Sequence, residues 1–409
     1  MPIVFYKNIS LSDANVGGGT STVGEPNVAN NGDNIFYTGN WYATRSFDGG
    51  SSWSPVSPYT TLPPADGGFC CDQTLIYERS HDILLWVLQY VLKDGRNTLR
   101  VAISRGAAMN NWYWWDFQPA NVNQEWDGEW FDYNHVTTSN NYLYVGTNAF
   151  TTSTPSRFTR SVIFRFPLDA LANGEDLDYR YYATSTHGSL RCVQGAKDVM
   201  YFASHNSTSQ IRVFKWPENS NDVSTFDVDV SLWSRSRPYF SAGPDGNNWL
   251  GRCDHRITGG AVANGTLTFA WTANKFNNRP WPHVKVANIS AINKSLISQP
   301  DIWSRTVAYA YPALCPNNRG DLGITLYAGG GTLHPGHVVG VRDTKRGLWD
   351  LAASRYGTNG PNDGKWGDYL GILPYSDSGA SWFASGYTLR GGGDRTNVEP
   401  RVVQFGFRS

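Results

Sequence analysis

No apolar run in this chain approaches the roughly 20 consecutive residues of a membrane helix, and the 409 residues carry a formal net charge of zero with no basic stretch. Neither a membrane span nor an electrostatic footprint for nucleic acid is therefore expected. Charged residues make up only 17% of the sequence, and there are 5 cysteines. Cys70 and Cys71 are adjacent, whereas Cys192, Cys253 and Cys315 are scattered with no Cys-x-x-Cys or histidine spacing for zinc. The adjacent pair could close a strained vicinal disulfide in an oxidising compartment or remain two half-buried thiols. There is also no glycine-rich phosphate loop and no His-x-His cluster. No cofactor is expected, and a structural Ca²⁺ stays open because no spacing specifies it.

What the chain does have is aromatic and glycine content: 14% aromatic residues, with 17 Trp, 22 Tyr and 42 Gly. That suits many short strands joined by tight turns, an all-β chain. Seven segments line up as ends of apolar strands: FYTGN, WVLQY, YVGTN, FASHN, AWTAN, LYAGG and FASGY. Each follows another short strand that tends to open on a polar residue, at Glu25, Asp72, Asp132, Ser189, Asp254, Tyr311 and Asp368. Those heads are 47, 60, 57, 65, 57 and 57 residues apart, the length of one four-stranded blade of about 40–60 residues. The reading is a single domain over 1–409, a seven-bladed β-propeller, with six blades as the alternative. The last repeat lacks a fourth strand, and the N-terminal "PIVFYKNI" is the natural segment to supply it, which removes the free edges of the ring.

"SFDGGSSW" fits Ser-x-Asp-x-Gly-x-x-Trp through Ser46, Asp48, Gly50 and Trp53. The hydroxyl and carboxylate can bond their own loop, glycine supplies positive φ, and the tryptophan anchors the return into the sheet. The segment resembles the Asp-box of sialidase-like, or BNR-repeat, β-propellers. The resemblance implies an outer hairpin remote from any chemistry. "PYSDSGASW" has Tyr375 in place of the first serine and falls between the first two strands of its repeat, so it reads as an ordinary turn.

In a propeller the first strand of each blade lines the central channel, so equivalent heads meet at one mouth. Glu25, Asp72, Asp132, Asp254 and Asp368 converge there from five blades, with His135, His255, Arg256 and Tyr311 nearby. Mutual repulsion raises some carboxylate pKa values and leaves other groups ionised, as general acid/base catalysis requires. Asp132 in "WFDYNH" and Asp368 in "KWGDYLG" lead the catalytic candidates, followed by Asp72, Glu25 and His135. Trp41, Tyr90, Asn148, His205, Asp254, His255, Arg256 and Tyr311 are expected to bind substrate, and Trp130 and Tyr133 offer further aromatic faces. A carboxylate at a strand head can equally serve a turn, His205 a turn, and the tryptophans of "NNWYWWDF" blade packing.

The resemblance further implies a carbohydrate substrate, since this propeller class hosts glycoside hydrolases, polysaccharide lyases and lectins. Sialic acid is not favoured, because the chain has no Arg-Ile-Pro and only Arg191 and Arg256 on the channel strands. The first expectation is an extracellular, monomeric glycoside hydrolase acting on an oligo- or polysaccharide. A lyase, using His135, His255, Tyr311, Arg256 and Arg191, and a lectin are the alternatives. Five N-x-S/T sequons at Asn8, Asn206, Asn264, Asn288 and Asn293 lean slightly towards secretion. The first residues read as strand rather than as a leader.

Overall fold

A computed structural model describes residues 2–106, 108–343, 345–375 and 379–407. Ser376, Asp377 and Ser378, the middle of the second Asp-box-like segment, lie outside the described residues. The strands form seven four-stranded antiparallel sheets. Their inner strands are Asn27–Asn31, Phe69–Glu78, Glu129–Thr138, Arg191–Cys192, Ile257–Ala263, Ala308–Pro316 and Ile372–Pro374. Each inner strand packs against that of the next blade, and the seventh meets the first, so the sheets close a ring. The chain is a seven-bladed β-propeller, and the six-bladed alternative is set aside.

Burial grades outward along each blade because blades stack face to face. In the second blade, Ile83–Tyr90 is buried at every position and Leu99–Arg105 at all but the last, while the outer strand Trp112–Phe117 is mostly open to solvent. A strand covered on both faces needs apolar residues without alternation, which is how "ILLWVLQY" reads. Trp112 packs on Phe36 and Trp86, with ring centroids 5.9 and 5.1 Å away. Tyr113 and Trp114 of the same run are exposed, so only part of that aromatic cluster serves packing between blades.

The seventh blade is completed from the other end of the chain. Ile3–Ser10 runs antiparallel to Val398–Phe407, from Ile3 opposite Phe407 to Ser10 opposite Arg401. Arg401, almost fully buried, donates to Ser10 Oγ and Asn8 Oδ1, and Tyr6 Oη donates to the Phe407 carbonyl at 2.7 Å. The turn from Ser46 to Trp53 braces the same strand. It joins Ala43–Ser46 to Ser54–Val56, the outer hairpin of the first blade. Gly50 has φ +96°, and a Cβ there would stand 2.3 Å from Ile9 Cδ1, so the turn is closed tightly on the closing strand.

Candidate active site at the mouth of the ring

The heads of the inner strands leave the regular ladder. Glu25, Asp72, Tyr133, Ser189 and Tyr311 all have positive φ, between +45° and +62°, and register irregularities fall beside Asp72, Tyr133 and Tyr311. A bulge bends the strand and frees backbone groups that then need other partners. Those partners come from the second strand of the preceding blade. Asn40 Oδ1 accepts from Asp72 N at 2.8 Å, Asn148 Oδ1 from Ser189 N at 2.8 Å, and Thr272 Oγ1 from Tyr311 N at 2.9 Å. Gln89 reaches Asp132 Oδ1 at 3.0 Å, His205 Nε2 the His255 carbonyl at 2.9 Å, and Tyr387 Oη the Thr22 carbonyl at 2.8 Å. The polar residues ending the second strands are clasps between neighbouring blades.

This reassigns several residues expected to bind substrate. Asn148 is buried and bonded to Ser189 and Ser161, its Oδ1 accepting from both. His205 lies between Trp233 and Trp271, 4.7 and 5.0 Å away, where burial and then the neighbouring His255 push its pKa down to about 3. Tyr90 is buried under the Arg100 guanidinium and accepts its hydrogen bond at 2.6 Å, while Arg100 forms an ion pair with Asp116. Its face is not available to a sugar. Tyr311 is buried against Tyr327. His255 packs on Trp233, and burial lowers its pKa. Trp41, half-buried beside the Asn40 clasp, and Trp130, bonded through Nε1 to Ser156, keep part of their surface open.

His135, expected among the catalytic groups, sits below the mouth. It is buried in an axial cavity also lined by Asn27, Thr74, Arg191, Thr258 and Tyr369. Its Nε2 accepts from Cys192 N at 3.3 Å, and a Cβ on Gly146 would stand 2.1 Å from its Cε1. Burial, then the Arg191 charge, hold its pKa well below the usual value. The cavity's volume is about 50 Å³, room for one or two waters at about 30 Å³ each.

Above it the carboxylates do meet. Glu25, Asp72, Asp132 and Asp368 lie within electrostatic reach of one another. Glu25 is almost fully buried, and burial, then Asp72 and Asp368, hold its pKa well above the usual range. Asp72 is pushed up to about 7 by burial and then by the charge on Asp132. Asp132 is itself raised by burial, against hydrogen bonds from Gln89 and from Tyr133 N. The side-chain interaction between Glu25 and Asp72 raises the pKa of Glu25 and lowers that of Asp72, and Glu25 Oε1 accepts from Asp368 N at 3.3 Å.

Arg256 supplies the opposite charge. Its Nε lies 2.7 Å from Asp254 Oδ2 and its Nη2 3.1 Å from Asp368 Oδ2, while its guanidinium stacks on Tyr133, 4.0 Å from the ring centroid. Burial raises the pKa of Asp254, but Arg256 outweighs it and the net shift is downward. Asp254, expected to bind substrate, is thus engaged by Arg256. Arg252 approaches Asp368 at 3.6 Å from the rim, and Arg191 donates to Tyr133 Oη at 3.2 Å. Tyr133 and Tyr369 meet across the axis, ring centroids 6.2 Å apart, and form the floor of the mouth. Tyr369 and Arg252 escaped the sequence reading. The Asp-Tyr dipeptide shared by "FDYNH" and "GDYLG" is the signal for Tyr369, whereas nothing local marks Arg252. Among the described residues, no group of three or more His, Cys, Asp or Glu is placed to hold a metal ion.

No protein-family pattern matches the chain, and no curated protein is similar to it in sequence. Its fold is similar to solved propellers. A protein of unknown function from Dyadobacter fermentans matches over 100% of both chains, at 8% identity and a TM-score of 0.49. The GH93 α-L-arabinofuranosidase of Fusarium graminearum with arabinobiose matches over 98% of this chain and 97% of its own, at 11% identity and a TM-score of 0.49. A subtype N10 neuraminidase-like protein of A/little yellow-shouldered bat/Guatemala/060/2010 matches over 80% of this chain and 96% of its own, at 8% identity and a TM-score of 0.42. Likeness at this level assigns no family and no activity.

Proposed function

We propose that the protein is an extracellular glycoside hydrolase that cleaves an oligo- or polysaccharide at the mouth of the ring. The observation that carries this reading is the Glu25–Asp72 carboxyl pair beside an Asp368 paired with Arg256. Hydrolysis of a glycosidic bond needs a protonated carboxyl to donate to the leaving oxygen and an ionised one to act as base or nucleophile. Asp72 is the general acid, with Glu25 beneath it as the buried partner of its proton. Asp132 keeps that proton in place through its charge. Asp368, paired with Arg256, is the base or nucleophile, and Trp41 offers an apolar face to the sugar.

A lyase would need histidine and tyrosine beside an arginine free to neutralise a uronate. Here His135 lies in the axial cavity, His205 and His255 pack on Trp233, and Arg256 is held between Asp254 and Asp368. The purified protein should be screened against a polysaccharide panel, reading reducing ends and ultraviolet absorbance together. Release of saturated reducing sugars, lost by a factor of about 10² or more in folded Asp72→Asn and Asp368→Asn proteins, supports the assignment. Ultraviolet-absorbing products indicate β-elimination, and binding without turnover indicates a lectin. Either result overturns the reading.

A further inference from the structure

Successive side chains on a regular strand point to opposite faces of the sheet, so adjacent cysteines there cannot bring their sulfurs together. Cys70 and Cys71 do so. Their Sγ atoms are 2.6 Å apart, within the inner strand Phe69–Glu78. The backbone makes this possible, because the pairing register with Ile83–Tyr90 is interrupted on both sides of Cys71. Asp72, the next residue, has φ +47° and is clasped through its N–H by Asn40. Cys70 and Cys71 are half-buried residues, whereas Cys192, Cys253 and Cys315 are buried. The double irregularity thus presents one reachable dithiol directly before a carboxylate of the mouth.

We propose that Cys70 and Cys71 are a redox modification site, closed to a vicinal disulfide by exchange with a low-molecular-weight disulfide of the glutathione class. The thiolate of Cys70 attacks one sulfur of the glutathione disulfide and expels one glutathione. The thiolate of Cys71 then attacks Cys70 Sγ and expels the second. Two electrons pass from the cysteines to glutathione disulfide, and the two thiol protons end on the two released glutathiones. Adjacent residues hold their Cα atoms about 3.8 Å apart, short of the roughly 4.4–6.8 Å of ordinary disulfides. The ring is therefore strained and readily reopened. Closed, it restrains the backbone that carries Asp72. The test of this site reads mass and exchange, not turnover, and so does not depend on the reaction assigned to the mouth.

The full chain, fully reduced and then incubated folded with glutathione disulfide, is denatured, alkylated and digested. The expected result is a peptide containing Cys70 and Cys71 that escapes alkylation, has lost two hydrogens and reopens in excess reduced glutathione, with the other three cysteines alkylated. Cys71→Ser should instead carry one glutathione on Cys70. Two alkylated cysteines, or two stable glutathione adducts, at 70 and 71 overturn the proposal. Hydrogen exchange at the Asp72 amide should be slower in the closed form than in the reduced one. Equal rates would show that the ring does not restrain Asp72.

Discussion

The buried carboxyl of Glu25 and the carboxyl of Asp72 lie within electrostatic reach of each other, so that the charge on Asp72 raises the pKa of Glu25. Two acids in one desolvated site cannot both ionise cheaply, so the pair retains a proton that an isolated aspartate would have lost. Asp72 is pushed up to about 7, with Asp132 the largest charge acting on it. With Asp72 as the acid, kcat/KM falls as pH rises through about 7. Asp132→Asn should move that alkaline limb to lower pH by removing the charge that holds the proton. An unmoved limb in an active variant would show that Asp132 does not tune Asp72.

The same groups set the sign of stability against pH. A carboxyl whose pKa is raised by folding binds more protons in the native state than in the unfolded one between its unfolded and folded values. Stability therefore decreases as pH rises from about 4 to about 7, where Asp72 must ionise in place. Asp72→Asn should flatten that stretch of a melting-temperature profile, by up to one proton's worth of slope. A slope identical to that of the parent protein would mean that Asp72 ionises freely.

Asp48 tests whether the Asp-box is structural. Its carboxylate accepts from Ser52 N at 2.9 Å and from Ser52 Oγ at 2.6 Å, and Ser46 Oγ joins it to Gly50 N. Those bonds, from Ser52 first, hold its pKa well below the usual range. Asp48→Ala should lower the melting temperature modestly and leave turnover per folded molecule unchanged. Loss of turnover in a folded variant would place chemistry on the outer hairpin.

The closing strand can be removed. Deleting Pro2 to Ile9 strips Val398–Phe407 of its antiparallel partner and exposes a buried, apolar strand edge. A marked fall in melting temperature, with concentration-dependent association in light scattering, is expected. An unchanged melting temperature would contradict the closure.

The clasp at Asn148 offers a further test. Truncation to Ala leaves the Ser189 N–H and the Ser161 hydroxyl without their acceptor in a buried setting. That costs about 1–3 kcal/mol per unsatisfied group, measurable by denaturant unfolding. Asn148→Asp preserves the acceptor and should recover part of the loss. If Asn148→Ala were neutral for stability yet weakened sugar binding, the residue would belong to the site instead.

Spacing and strand chemistry alone determined the blades. Heads from Glu25 to Asp368 recur at intervals of 47 to 65 residues, and apolar strand ends follow each one, because every blade must bury the same two faces. The turn from Ser46 to Trp53 was legible for a similar reason, since its residues bond within their own hairpin. The convergence of Glu25, Asp72, Asp132 and Asp368 followed from the repeat alone. What tertiary structure decided was the use of each polar group. Asn148, Tyr90 and His205 look like ligand contacts in sequence, but their partners, Ser189, Arg100 and the His255 carbonyl, are brought to them only by folding. His135 and Asp132 share one strand and differ because the first faces the axial cavity and the second the mouth. Which carboxyl keeps a proton depends on how much water the assembled ring excludes and on which charges it brings together from distant blades, quantities that no local stretch of sequence encodes.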